Sequence, residues 1–494
     1  MRLALALLLA ALPVQAGPVL FENRSAALSG HVYAGGWEHF VGGGVAVFDC
    51  NDDTLPDIFA AGGETPASIF INHGAFQFAA TSLEELTGVV GGYPLDIDAD
   101  GLLDLFVLRA GGNIVLRGLG DCRFEDVTEH WRIPQSDRWS TAFTAWWDDG
   151  SDRPTLAIGN YVDRRNPDGP FEACDVNELL VPEAGGYAVQ QLSPGFCALS
   201  ILAARDARGR VTLRLSNDRH YYVRGGYEQM WDVQDKRFLT EADGWPTVSL
   251  WGMGIASRDL TGDGRDEVML TSMGDQLLQI AGEDGRYVAA PFSQGTYAQR
   301  PHVGDDGRPS TGWHAEFADV DNDGLVDLFL AKGNVDQMPG MAMEDPNNLL
   351  MQTADGTFVE VAASAGVAST ARSRGAALAD FDGDGRLDLV VSNRRAPMEM
   401  YRNVTPNTGN WLAVQLRQGG GNRDAVGATI TLRSGSARQT VQHVVGGGHA
   451  GGQMLPRHFG LGQEREAEVN VLWPDGTRST HVLVSGRSHL IEKP

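Results

Sequence analysis

The residues of this chain best suited to chemistry are acidic side chains at alternate positions of short loops. One loop reads DFDGDGRLDLVV from Asp380 to Val391, with carboxylates at relative positions 1, 3, 5 and 9. Carboxylates, together with a backbone carbonyl at position 7, are the hard oxygen ligands that calcium prefers. The loop contains neither His nor Cys, the residues that softer metals favour. The pattern therefore predicts a Ca²⁺ site.

Four other loops repeat this spacing, beginning at Asp49, Asp96, Asp259 and Asp319. Carboxylates gathered this closely repel one another unless a cation lies between them. We therefore expect about five Ca²⁺ sites with a structural role. The predicted metal ligands are Asp49, Asn51, Asp53, Leu55 and Asp57; Asp96, Asp98, Asp100, Leu102 and Asp104; Asp259, Thr261, Asp263, Arg265 and Glu267; Asp319, Asp321, Asp323, Leu325 and Asp327; and Asp380, Asp382, Asp384, Arg386 and Asp388, where the residue at position 7 contributes only its carbonyl.

The elements around these loops are strands, which excludes an EF-hand. An EF-hand has a bidentate Glu at position 12, between two helices. Here position 12 is Leu270, Leu330 or Val391 in three of the loops. The flanking stretches, such as GAALADF and LDLVVSN, are short, apolar and bounded by turn residues, as strands are. Each unit therefore reads strand–calcium loop–strand.

Two degraded copies complete the repeat. WWDDGSDRPT stands near position 148, and ARDARGRVT near position 204 places Ala204, Arg208 and Thr212 at ligand positions. With these copies the unit recurs seven times, at intervals of about 47 to 61 residues. A period near 50 with several short strands predicts an all-β fold, a seven-bladed β-propeller.

The two ends of the propeller are predicted to meet. Segments such as CRFEDVT and GTFVEVAASAGV follow the loop hairpins and read as the outer strand of a blade. The last repeat lacks this segment, whereas PVLFENRSAALSG near the N-terminus resembles it. We therefore expect the stretch around Val19 to Glu22 to complete the last blade, which leaves no open sheet edge.

The repeat stops after Asn403. Beyond a turn-rich linker, NWLAVQLR, ATITLRSG, RQTVQHVV and AEVNVLWPDGT alternate apolar and polar residues. This alternation predicts strands, and residues 405–494 are expected to form a small β-sandwich.

The Asp loops resemble FG-GAP repeats, also called VCBS repeats, of the integrin α-subunit propeller. The stretches GNRDAVGATI, RHFGLG and VNVLWPDGT closely resemble the ASPIC/UnbV domain. Both together are similar to the cartilage acidic protein 1-like family. The resemblance implies a seven-bladed propeller over residues 17–404, with calcium in the blade loops. It also implies a transthyretin-like sandwich over residues 405–494 that docks on the propeller.

This sequence departs from the family pattern at two places. Gly421 stands where the family usually has Ser before the Asn-Arg pair, and GGGHAGGQ replaces the usual GGGYxSQ. If relatives use this Ser or Tyr to recognise a ligand, the same recognition is not expected of this protein. The residues Asn422, Arg423, Asp424 and Gly427 are interpreted as a structural turn with an internal ion pair.

Charge and the N-terminus indicate the compartment. A net charge of −25 argues against nucleic acid as a partner. Residues 1–16 read as a signal peptide cleaved after Ala16, and no stretch is long enough to span a membrane. We expect a secreted or periplasmic protein.

Export permits disulfides, and we favour Cys174–Cys197, which leaves Cys50 and Cys122 as the other pair.

No catalytic constellation stands out. The 12 His are scattered, and neither HExxH, GxSxG nor a P-loop occurs. A loop with Met338, Met341 and Met343 could suit Cu(I), as could His443, His449 and His458, but gap filling by an exposed loop is the favoured interpretation. The sequons at Asn23 and Asn403 are sugar acceptors only in a host that glycosylates them.

Two functions remain open. The leading hypothesis is an interaction or adhesion-type module for a protein or glycan ligand, with a monomer plausible. The alternative is an enzyme or biosynthetic accessory protein that uses the axial face of the propeller. A deep polar axial pocket lined by His and acidic groups would favour the enzyme, and a face with exposed aromatic side chains would favour binding.

Overall fold

The computed structural model describes residues 18–28, 30–83, 85–167, 170–218, 225–297 and 308–494. The predicted signal peptide lies outside the described residues. Among the described residues, no helix has the length and apolar character needed to cross a membrane.

Within the described residues, seven sheets of four antiparallel blade strands follow one another along the chain, and the first of them gains a fifth, parallel strand from the C-terminal part of the chain. The first strand of each sheet contacts the first strand of the next, and the seventh contacts the first, so the sheets form a closed ring. The propeller prediction is therefore confirmed. The blades are β2 (Val45–Phe48), β3 (Asp57–Ala60), β4 (Ala67–Asn72) and β5 (Phe78–Leu83); β6 (Val89–Leu95), β7 (Asp104–Arg109), β8 (Ile114–Gly118) and β9 (Phe124–Asp126); β10 (Ser140–Trp146), β11 (Thr155–Asn160), β12 (Asn177–Glu183) and β13 (Gly186–Leu192); β14 (Ala198–Arg205), β15 (Val211–Asn217), β16 (Gln229–Asp232) and β17 (Arg237–Phe238); β18 (Gly252–Arg258), β19 (Glu267–Ser272), β20 (Leu277–Ala281) and β21 (Tyr287–Ala289); β22 (Gly312–Ala318), β23 (Asp327–Lys332), β24 (Asn348–Gln352) and β25 (Phe358–Glu360); and β26 (Ser373–Ala379), β27 (Asp388–Asn393), β28 (Glu399–Asn403) and β1 (Phe21–Asn23).

The burial of the strands explains their sequences. Every residue of β2, β10 and β26 is buried, because the inner strands pack between neighbouring blades on both faces. The outer strand β5 instead exposes most of its residues. Short helical turns lie between the strands, at Ser25–Leu28, Trp37–His39, Glu241–Asp243, Phe292–Gln294 and α1 (Ala362–Ala365).

The N-terminal strand closes the ring as expected. β1 pairs antiparallel with β28, with Phe21 opposite Asn403, and forms the outer strand of the seventh blade. The strand begins two residues later than the predicted stretch. Because it covers the edge of β28, the first and last parts of the propeller are held together by backbone hydrogen bonds.

The favoured disulfide Cys174–Cys197 is present, and so is the remaining pair, Cys50–Cys122. Cys50–Cys122 joins the first blade to the second, and Cys174–Cys197 joins the third to the fourth.

The C-terminal residues form the predicted small sandwich. One sheet has the order β33–β29–β36 and the other β31–β30–β34–β35. Both sheets contribute to one hydrophobic core that includes Leu412, Ile430 and Phe459. The strands are β29 (Asn410–Arg417), β30 (Thr429–Ser434), β31 (Ala437–Gln442), β33 (Arg457–Gly462), β34 (Glu466–Leu472), β35 (Arg478–Val484) and β36 (Arg487–Glu492).

A segment of this sandwich fills the centre of the propeller. We call residues 444–454, between β31 and β33, the plug segment. It ends in β32 (Gln453–Met454), which pairs in parallel with β2. Close packing requires glycine on the inner strands, because a Cβ on Gly44 would lie 1.9 Å from the Ala450 carbonyl oxygen. The other backbone bridges from the plug segment to inner strands are Val445 to Ala145, Gly446 to Leu202, Gly448 to Ile255 and Gly451 to Gly92.

Candidate calcium loops and an axial cavity

Each predicted calcium loop joins the first and second strands of its blade and curls around its first carboxylate. Asp380 Oδ1 accepts the N–H of Asp384 at 3.0 Å, and Asp380 Oδ2 accepts that of Gly385 at 2.8 Å. The turn requires a left-handed backbone at position 6, where Gly385 has φ 83°. The side chains at positions 1 and 3 therefore lie on one side of the loop, whereas the position-5 carboxylates of Asp100, Asp323 and Asp384 lie outside the clusters formed with position 9.

The carboxylate at position 9 ties the loop to the third strand of the blade. Asp388 accepts the N–H of Phe381, within the loop, at 2.9 Å and that of Asn403, in β28, at 2.8 Å. Asp327 makes the equivalent pair of contacts with Val320 and Gln352, at 3.0 and 2.9 Å. These two hydrogen bonds place the charged group at the base of the loop.

Three loops bring three carboxylates together, with oxygen atoms within 4.8 Å of one another. The groups are Asp96, Asp98 and Asp104; Asp319, Asp321 and Asp327; and Asp380, Asp382 and Asp388. Such clusters of like charge are the donor set that a hard divalent cation requires.

The pKa values of these carboxyl groups show the electrostatic penalty of the clusters without a cation. Burial raises the pKa of Asp104 to about 8. Burial, followed by the negative charge of Asp321, raises that of Asp323 to about 6. The pKa values of Asp319 and Asp327 are raised by burial and then by neighbouring carboxylates. The residues present therefore fit a bound cation, which would hold these groups in their charged form.

The loops of the first and fifth blades do not gather three carboxylates in this way. In the first blade, Asp57 lies beside the Cys50–Cys122 disulfide, whose sulfur atoms offer no thiolate. Burial raises the pKa of Asp57 to about 7. In the fifth blade, Glu267 accepts the N–H of Leu260 at 2.8 Å, and burial raises its pKa to about 7.

Two arginines that the sequence interpretation missed approach the loops from the third strands. Arg117, on β8, lies 2.8 Å from Asp98 and 2.6 Å from Asp100. Arg402, on β28, lies 2.7 Å from Asp382. Both arginines lie on the third strand of their blade. Their equivalent positions in the repeat are therefore a sequence signal that could have identified them. They neutralise part of the loop charge.

In the two degraded copies, the loop aspartate is paired with another side chain of the same blade. In the third blade, Thr155 begins β11 and donates its hydroxyl to Asp148 at 2.6 Å. In the fourth blade, Arg210 lies 3.2 Å from Asp206 and 2.9 Å from Asp232, so a guanidinium replaces a cation.

The placement of Ala204, Arg208 and Thr212 at ligand positions is wrong. Ala204 pairs directly with Thr212 in the ladder of β14 and β15. The intervening hairpin is too short to form a loop of the same kind.

The C-terminal domain rests on the predicted calcium loops. Arg423 donates to the Gly101 carbonyl and lies 3.6 Å from Asp96. Gly462 N–H donates to the Asn322 carbonyl at 2.9 Å. The predicted ion pair within the turn is present, since Arg423 lies 3.2 Å from Asp424. This turn therefore also forms part of the contact between the two domains.

An axial cavity of about 460 Å³ lies at the other end of the propeller. Its residues lie mostly in the segments that precede first strands or follow second strands, whereas the predicted calcium loops join the opposite ends of these strands. Two aromatic side chains at the cavity are exposed, Trp37 at 53% and Phe171 at 61%. The lining includes Gly36, Trp37, Phe40, Pro170, Phe171, Asp218, Met253, Met273, Val335, Asp336, Met338, Arg394 and Arg395.

The remaining candidate residues do not all come together, but His443 and His458 line one cavity of about 510 Å³ between the propeller and the C-terminal domain. Met338 and Met341 pack in one hydrophobic cluster, in accordance with the gap-filling interpretation. His443 accepts from Arg457 at 2.9 Å, and His449 accepts the N–H of Gly42 at 3.1 Å within the channel. The third histidine, His458, contacts the loop residue Asn322 at 2.7 Å.

The two sequons differ in accessibility. Asn23 is exposed at the propeller surface. Asn403 is completely buried and donates to the carbonyls of Val320 and Leu387, at 2.8 and 3.1 Å. The side chain of Asn403 is therefore structural.

Family models match several parts of the chain. Residues 49–107 and 319–391 match the family described as FG-GAP-like repeat, and residues 373–410 match the FG-GAP repeat. Residues 418–493 match the family described as ASPIC and UnbV.

Curated proteins with a similar sequence include cartilage acidic protein 1. The human protein is 29% identical over 178 residues, which is 35% of this chain and 26% of that protein. The Xenopus tropicalis protein is 34% identical over 119 residues, 23% of this chain and 18% of that protein. The match thus spans about a quarter or less of the relatives' own length.

Solved structures with a similar chain path include BBS1N, determined in complex with ARL6DN. It is 11% identical, with a TM-score of 0.48, over 79% of this chain and 98% of that chain. The Dos1 propeller is 13% identical, with a TM-score of 0.37, over 80% and 96% of the two chains. In sequence, parts of this chain are thus similar to FG-GAP repeats, and its C-terminal residues 418–493 are similar to the ASPIC and UnbV family.

Proposed function

We propose that this protein is an exported interaction module, in which Ca²⁺ holds the blade loops and the axial cavity binds a ligand. The observation that carries the proposal is the pair of exposed aromatic side chains, Trp37 and Phe171, at a cavity of about 460 Å³. Ligand sites are typically concave, largely apolar and of about 300–1,000 Å³. An FG-GAP propeller supplies the rigid ring that keeps such a site in shape.

Calcium is the cation that best suits the loops. Their donors are carboxylate and carbonyl oxygens, the ligands of hard cations. Buried groups such as Asp319, Asp321 and Asp327 have oxygen atoms within 4.8 Å of one another. A flexible, carboxylate-rich site favours Ca²⁺ over Mg²⁺, which demands stricter octahedral geometry and retains its water.

The alternative of an enzyme at the axial face receives less support. At the end of the propeller that faces the C-terminal domain, the channel is occupied by the plug segment. At the opposite end, aromatic and thioether groups predominate among the described lining residues, and the described lining contains no histidine. Such a surface favours binding over acid–base chemistry.

Calcium binding is tested by isothermal titration of the chelator-treated protein. We expect three to five Ca²⁺ per chain: three from the loops that gather three carboxylates, and up to two more from the loops of the first and fifth blades. Mg²⁺ at equal concentration should give little heat. A stoichiometry near zero would overturn the calcium part of the proposal.

The binding site is tested with matched baits. Native secretome is passed over the wild type, Trp37→Ala and Phe292→Ala, the last of which changes an exposed aromatic residue away from the cavity. A ligand of the cavity is retained by the wild type and Phe292→Ala and lost by Trp37→Ala. Retention by all three baits would place the interaction elsewhere.

A further inference from the structure

The turn that carries the exposed indole of Trp37 is held in place, and the indole packs against the rings of Phe40 and Trp139. The turn Trp37–His39 is anchored on both sides, because Gly36 N–H donates to Glu64 at 2.7 Å and Glu38 accepts two hydrogen bonds from Arg164, at 2.6 and 2.9 Å. None of these hydrogen bonds involves the indole, so they do not explain why it is exposed to solvent. Rigid, exposed aromatic groups are typical anchors of binding sites, since little conformational entropy is lost when a ligand packs on them.

The cavity walls are poorly suited to a sugar. Met253, Met273 and Met338 contribute thioether groups, and Phe40 and Val335 add apolar surface. Sugar hydroxyls need many hydrogen-bonding partners, whereas methionine side chains adapt to apolar groups of varied shape. The body of the ligand is therefore apolar.

One side of the cavity is rich in guanidinium groups. The carboxylate of Asp336 has three arginines around it: Arg395 at 3.1 Å, Arg372 at 3.5 Å and Arg394 at 3.9 Å. One carboxylate cannot neutralise three guanidinium groups, so this side carries excess positive charge in a chain whose net charge is −25. The other acidic lining residue, Asp218, accepts a hydrogen bond from Tyr161 and comes from a different blade.

We propose that the axial cavity receives the C-terminal residue of a partner polypeptide, with an aromatic or large aliphatic side chain. The side chain packs between Trp37, Phe171 and Met338, and the chain-terminal carboxylate lies on Arg395. A chain terminus fits both the apolar walls and the guanidinium groups, because its carboxylate is bonded directly to the α-carbon that bears the side chain. Arginine binds carboxylates through paired hydrogen bonds. This inference rests on the proposed function of the cavity as a ligand site.

The probe is the peptide acetyl-Gly-Gly-Phe with a free carboxylate, compared with its C-terminal amide by calorimetry on the full chain. We expect the acid to bind at least tenfold more tightly than the amide, since a charge-assisted hydrogen bond is lost in the amide. Arg395→Gln should abolish this difference, whereas Arg123→Gln, at a distant exposed arginine, should keep it. Equal affinity of acid and amide for the wild type would overturn the proposal.

A gain of affinity guards against misfolded variants. Asp336 competes with the ligand for the guanidinium groups, so Asp336→Asn should bind the acid at least threefold more tightly and the amide equally. An unchanged or weaker affinity for the acid would contradict the assignment.

A third arm separates this inference from the proposed function. Binding of chitotetraose that is sensitive to Trp37→Ala but not to Arg395→Gln would overturn the polypeptide terminus and leave the cavity as the binding site. If neither peptide nor oligosaccharide binds in a manner sensitive to Trp37→Ala, both proposals fail.

Discussion

The substitution Asp327→Asn is predicted to change the stability of the protein in opposite directions with and without calcium. Asp327 is buried at the base of its loop, with oxygen atoms within 4.8 Å of those of Asp319 and Asp321. Without a cation, its charge repels its neighbours. With Ca²⁺ bound, the same charge is a ligand. The asparagine side chain has nearly the same shape but carries no charge.

The magnitude follows from two opposing effects. Two unit charges at 4.8 Å repel by about 3.5 kcal/mol at an effective dielectric constant of 20, and protonation of the cluster limits the total. Asparagine can accept only one of the hydrogen bonds now donated by Val320 and Gln352, and an unsatisfied N–H costs about 1–3 kcal/mol. The metal-free variant should therefore be more stable than the wild type, by about 1–2 kcal/mol.

With Ca²⁺ bound, the same substitution is expected to destabilise the protein. A site held at a hundredfold excess over its Kd stabilises the fold by about 2.7 kcal/mol, and most of this is lost if a missing ligand weakens binding a hundredfold. Together with the unsatisfied N–H, we expect Asp327→Asn to destabilise the calcium form by about 3 kcal/mol or more.

The assay is thermal melting at pH 7.5 in 5 mM EGTA and in excess calcium. The control is Asp148→Asn, in the degraded loop where Thr155 takes the place of the carboxylate. Its effect should be the same in both buffers. If Asp327→Asn lowers the melting temperature equally in both, the loop does not bind calcium and the electrostatic reasoning is refuted.

Three further predictions concern the rest of the molecule. Chelation should expose the plug segment, residues 444–454, because the C-terminal domain rests on the calcium loops; faster hydrogen exchange there checks this, and unchanged protection would contradict it. Burial lowers the pKa of His449 to about 3, so the stability of its neutral form is present above pH 6.5 and lost as the pH falls towards 3; melting should drop less steeply below pH 6.5 in His449→Gln than in the wild type. Replacing Cys50 and Cys122 by Ser should destabilise the protein by up to about 4 kcal/mol, as chain-entropy arguments give for a closed loop of 72 residues, and denaturant unfolding measures it.

The acidic loops and their place between two strands could be predicted because they are local. All the side chains of one loop lie within nine consecutive positions of a single hairpin, such as Asp380 to Asp388, so their spacing alone places them together. The closure of the ring was also accessible, because the N-terminal stretch resembles the outer strands of other repeats. The predicted alignment of the degraded fourth loop is wrong, because the spacing of its residues does not show that Ala204 pairs directly with Thr212.

The axial cavity and the plug could not be predicted in this way. Trp37, Phe171, Met338 and Arg395 come from different parts of the chain and meet only because the blades close into a ring. The glycine-rich plug segment shows no apolar periodicity, and its place in the channel depends on where the C-terminal domain docks.

The sequence by itself determined the repeat, the strand–loop–strand unit, the acidic loops and the division into two domains. Only the tertiary structure decided which surface remains available for a ligand. The physical reason is range: hydrogen bonds and charges within one hairpin are specified by neighbouring residues, whereas a cavity at the axis is made by side chains hundreds of residues apart. The plug segment occupies one end of the channel, and the exposed aromatic groups of Trp37 and Phe171 mark the other.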